Sequence, residues 1–121
     1  MRQLGRFYES LLDSLGGRSR GLLGAATVQA MREQEGPWGL GPLVIAGHFG
    51  TWCPRAFGHD GLRSSLVFAD PEHGVVMAAF VNSLGRGQSN VELLLEVSRA
   101  VYLSVLSPAQ LREVGLVVDT P

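Results

Sequence analysis

A chain of 121 residues has the length for one domain with one core, and 45% apolar against 17% charged residues excludes disorder. A formal net charge of -1 with no basic face excludes binding built on the neutralisation of a phosphate backbone, so no nucleic-acid partner is expected. All ten cationic side chains are Arg, which excludes lysine chemistry of every kind, and the single Cys53 excludes an internal disulfide.

The first 36 residues read as a helical lead-in. Leu4, Phe7, Leu11, Leu12 and Leu15, with Tyr8 beside them, recur at intervals of three and four and predict one apolar helical face over 3–15. Gly16-Gly17 stops that helix, because a left-handed position after a helix suits glycine. Glu9 and Asp13 interrupt what would be the apolar core of a signal peptide, and no apolar run reaches the roughly 18 residues that span a bilayer. The compartment stays open. A second helix is predicted over 25–34, with Val28 and Met31 inward, Arg32 and Glu33 facing water, and Gly36-Pro37 as its stop.

Residues 38–82 carry the sheet signals. Trp38 to Ala46 predicts a strand bent at Gly41-Pro42, and 47–54 a loop in which Cys53 is a small apolar filler beside Pro54. Ala56 to His59 predicts a short strand into a glycine-broken corner, and Leu66 to Ala69 the next strand. Asp70-Pro71-Glu72-His73-Gly74 is a turn: Asp opens it, Pro fixes φ, and Gly closes it with positive φ. The turn alone accounts for Asp70 and leaves His73 in solvent. Val75 to Val81 is apolar throughout and predicts a central strand buried on both faces, paired antiparallel with the strand before it.

After a loop at 84–88, residues 90–115 predict the C-terminal helices. Ser89-x-x-Glu92 reads as a capping box for a helix over 91–106, apolar at Val91, Leu94, Leu95, Val97, Val101, Val105 and Leu106 and so largely covered. Ser107-Pro108-x-Gln110 starts a short last helix that Gly115 ends. The fold class is α+β: an antiparallel sheet of three to four strands with a long C-terminal helix packed on one face, all in a single domain, 1–121, which the resemblance described below implies to be partial.

Few motifs carry chemistry. G-x-S-x-G, the P-loop and a complete G-x-G-x-x-G are absent. His48, His59 and His73 fall at no metal-ligand spacing, so neither metal nor cofactor is expected. Ser64 and Ser65 read as hydroxyls that satisfy nearby backbone.

Phe57-Gly58-His59-Asp60-Gly61, then Ser65 to Gly74 and an apolar strand ending at Asn82, resembles the C-terminal portion of the serine β-lactamase-like superfamily, which includes class C β-lactamases, penicillin-binding proteins and related esterases. The lead-in is similar too, through Arg6-Phe7-Tyr8-x-x-Leu11-Leu12, Leu22-Leu23 and Trp38-Gly39-Leu40-Gly41, so the resemblance spans about residues 4–106. It implies a partial αβα fold whose sheet lies between helices. It also implies hydrolysis of a small ester or amide through an acyl-enzyme. Of the family's three motifs, S-x-x-K, Y-x-N and a K-T-G or H-x-G triad, only the third is matched, by His59-Asp60-Gly61. The resemblance places His59 where a cation orients substrate or tyrosine. It makes Gly61 the point of close substrate approach, and the Leu62 N–H an oxyanion donor. S-x-x-K cannot occur without lysine. Tyr8-Glu9-Ser10 and Tyr102-Leu103-Ser104 lack the Asn of Y-x-N and read as helix residues. The resemblance therefore implies the last third of such a domain, inactive alone. Two alternatives stand beside it: a non-catalytic binding or assembly module that keeps the fold, and a truncated product that self-associates through exposed partial-fold surfaces.

Overall fold

The computed structural model describes residues 1–17, 23–33, 42, 44, 47–61, 65–82 and 88–116. Its elements run α1 (Arg2–Leu15), α2 (Ala25–Arg32), β1 (Phe57–Gly61), β2 (Ser65–Asp70), β3 (Val75–Phe80), α3 (Gln88–Val105) and α4 (Pro108–Glu113). The architecture is α+β around one three-stranded antiparallel sheet in the order β1-β2-β3. The strand predicted over 38–46 lies outside the described residues except for Pro42 and Val44, which belong to no strand.

Strand alternation sends successive side chains to opposite faces, and both faces are covered. Leu66, Phe68, Val75 and Met77 enter one core with Phe49, Leu94 and Tyr102. Val67, Ala69 and Phe57 enter a second core with Tyr8 and Leu11 of α1 and Val28 of α2. Phe49, Phe68 and Tyr102 are fully buried and form a three-ring stack, with centroids 5.1 and 6.5 Å apart. Each such ring removed from water contributes about 1.5–3 kcal/mol.

Several expectations change here. The central strand is β2, and β3 is an edge whose Phe80 is 60% exposed. A continuous apolar run reports on the covering of faces; it does not report whether both edges are paired, and among the described residues no strand pairs with the outer edge of β3. In α1 the buried line is Tyr8, Leu11 and Ser14, while Leu4 and Phe7 stay exposed. Arg32 is half-buried: its guanidinium stacks 5.2 Å from the Phe57 ring centroid and donates to Gln29 Oε1 at 3.1 Å. Burial lowers its pKa most, the nearby Arg55 adds to the fall, and Asp70 opposes it. α3 starts at Gln88, so Ser89 stands inside its first turn and not before it as a cap. Leu93, Val97 and Val105 of α3 are exposed, so the helix is only half covered.

Local signals hold elsewhere. Gly17 follows α1 with φ 74°, and Gly74 closes the hairpin turn with φ 68°. Both bonds of the capping box at Ser107 and Gln110 are present. Gly58 is required by close approach: a Cβ there would stand 2.0 Å from the Val67 carbonyl oxygen and 2.6 Å from Phe68 Cα.

Candidate functional site

His59, Asp60 and Gly61 end β1 at the corner before β2. Alternation puts His59 and Gly61 on the α1/α2 face and Asp60 on the α3 face, opposite Leu66. His59 is exposed, and its Nδ1 bonds the Asp60 carbonyl oxygen. Gly61 is half-buried; a Cβ there would meet Ser65 Oγ at 2.6 Å, a hydroxyl able to rotate away. Ser65 Oγ itself donates to the Gly61 carbonyl at 3.3 Å, as expected of a hydroxyl that satisfies local backbone. Leu62, the expected oxyanion donor, and Ser64 lie outside the described residues. β2 pairs with one edge of β1, and among the described residues no strand pairs with the other.

The structure adds one residue to this corner. His48 Nε2 lies 3.0 Å from Asp60 Oδ2, joining the 47–54 loop to β1. The two side chains are 29% and 47% exposed and sit at the rim of a small groove of about 60 Å³ floored by Leu66, Leu94 and Leu95. The loop holds this position because Phe49, next in the chain, is fully buried, and because Ser98 Oγ of α3 donates to the Phe49 carbonyl at 3.3 Å. Trp52 Nε1 donates in turn to Ser98 Oγ at 3.1 Å. No spacing rule flags a partner 12 residues away across a loop; an exposed Asp inside a strand was the only signal in the sequence.

A second polar cluster lies at the other end of β2 and corrects the reading of Asp70 and His73. Asp70 is fully buried. Tyr102 donates its hydroxyl proton to Asp70 Oδ2 at 2.7 Å, His73 Nδ1 lies 2.7 Å from the same oxygen, and the Glu72 N–H donates to Oδ1 at 3.0 Å. The His73 side chain is only 5% exposed and packs edge-on against Tyr102. Turn chemistry is one role of Asp70; anchoring α3 is the other. Burial raises the Tyr102 pKa first, and the bond to Asp70 adds to it. Burial likewise pushes the Cys53 thiol up to about 12, which leaves it unreactive at neutral pH and fits the filler role expected of it.

A further cleft is near neither chemistry. It measures about 730 Å³ and lies between α1, α2 and the hairpin turn, bordered by Glu9, Asp13, Gln29 and Arg32. Among the described residues no group of three or more His, Cys, Asp or Glu could hold a metal ion, and no helix is long and apolar enough to cross a membrane. Comparison of the chain with family models, curated proteins and solved structures returns no match.

Proposed function

We propose that this chain is the C-terminal portion of a serine hydrolase of the β-lactamase-like class, acting on small esters or amides through an acyl-enzyme whose nucleophile it does not itself supply. The observation that carries the reading is the position of His59-x-Gly61 at the end of an edge strand whose outer side takes no strand among the described residues. An edge strand offers backbone N–H groups in a row, the donor geometry that stabilises a developing oxyanion. In this reading His59 orients the substrate from an exposed position and Gly61 leaves room for the acyl group. The Leu62 N–H is the oxyanion donor. The helices on both faces of the sheet are the partial αβα fold, with α3 as its long C-terminal helix.

Asp60 and His48 play no part in bond making here; their side chains lie on the α3 side of the sheet and pin the corner. The absence of lysine excludes S-x-x-K from these 121 residues, so the isolated chain is expected to stay unlabelled by a serine-reactive fluorophosphonate probe. Clear labelling of the folded chain would refute the reading. In-frame coding sequence for S-x-x-K and Y-x-N upstream of Met1 would support it, whereas a promoter abutting Met1 would favour a non-catalytic module.

A further inference from the structure

The outer edge of β3 combines features that soluble proteins avoid. Val75–Phe80 contains no charged residue and no proline, and its ladder with β2 is continuous from Asp70–Val75 to Ser65–Phe80, without a bulge. Charges, prolines, bulges or a covering segment normally blunt such an edge. Among the described residues no strand covers it. The layers on both sides bring apolar residues to the same line, and Glu9 and Asp13 of α1 border it only at the cleft beside Val76. On one face Gly5 of α1 lies against Ala78, and the helix turn around it leaves Met1 and Leu4 exposed. On the other, Val101 and Val105 of α3 border Val75 and Val76 in an open groove of about 500 Å³. Phe80 and Val105 are 60% and 58% exposed.

We propose that β3 pairs antiparallel with β3 of a second copy of this chain, forming a closed two-fold dimer with a continuous six-stranded sheet. A two-fold axis normal to the sheet keeps each face on its own side. A register centred on Met77 sets Val75 against Ala79 of the second copy and Val76 against Ala78 of the second copy. Both members of each pair then share a face, and no like charges stand opposite one another. The five paired residues, Val75 to Ala79, run about 17 Å, and three layers of about 10 Å give a footprint of about 500 Å² per copy, or about 1,000 Å² in all, the size a specific interface must clear. The pairing is isologous, so it closes at two. The outer edge of β1 does not extend it, because exposed His59 and Asp60 blunt that side.

Sedimentation of the full 121-residue chain across micromolar concentrations tests the proposal, with circular dichroism to confirm folding. The expected result is twice the chain mass. Phe80→Lys and Val105→Lys change exposed positions, so both variants should fold. Each should weaken the dimer about tenfold or more, since a lysine replaces apolar surface that the second copy would cover. Leu23→Lys, at an exposed apolar position outside the edge, should leave the mass unchanged. A monomer at all concentrations would overturn the proposal and leave the edge to a strand of another polypeptide. Growth beyond two copies, or a dimer indifferent to both edge lysines, would overturn it equally.

Discussion

Two Asp–His pairs occupy opposite ends of the sheet, and they differ in almost everything but chemistry. Asp70 and His73 are 0% and 5% exposed, share the site with Tyr102, and join the hairpin turn to α3. Asp60 and His48 are 47% and 29% exposed and join a loop to the end of β1. Separations of 2.7 and 3.0 Å barely distinguish them. Burial does: a carboxylate withdrawn from water must keep all its donors, while one at the rim can exchange a donor for solvent. The first pair is therefore a fixed part of the core, and the second is adjustable surface next to the proposed site.

The sharpest way to break this contrast is Asp70→Ala. It leaves His73 and Tyr102 without their acceptor in a dry site, and the unfolding free energy in a urea titration should fall by about 3–5 kcal/mol. A loss below 1 kcal/mol would make the two pairs equivalent. Tyr102→Phe should cost less, about 1–3 kcal/mol by the same titration, because only one donor is removed. It should also flatten the alkaline side of the stability profile. Burial raises both Tyr102 and Cys53 in the folded state, so the unfolded chain sheds these protons first as pH rises. Their contribution is fully present below pH 9.0, the ordinary thiol value, and Cys53 loses its share as pH climbs towards about 12. Tyr102 adds its loss from 10.0 upward, and the Phe variant should remove that part of the slope. The smallest effect belongs to His48→Ala, at most about 1 kcal/mol and weaker still in high salt, as for exposed ion pairs generally. A salt-insensitive loss of the size seen at Asp70 would show that the rim pair is as structural as the buried one.

What the sequence made legible was local. The period of Tyr8, Leu11 and Leu15 found α1, the D-P-E-H-G turn fixed the β2–β3 hairpin, and S-P-x-Q found α4 with its cap. Each of these rests on contacts within a few residues. The misses were long-range. Asp70 had a sufficient local explanation, and nothing near it in the chain pointed to a hydroxyl 32 residues on. β3 read as central because hydrophobicity reports on faces while strand order depends on the whole topology. The H-D-G corner was found from a resemblance, whereas the His48 that braces it lies in a loop whose composition announces nothing.

The ring at position 49 and the imidazole at position 48 are neighbours in the chain, yet one is sealed beneath Phe68 while the other stands at the rim. A single peptide link thus carries the rigidity of the aromatic stack up to the corner. Sequence drift should respect that footing: position 48 can change and the corner will loosen, but an altered position 49 would undermine both the floor and what stands on it.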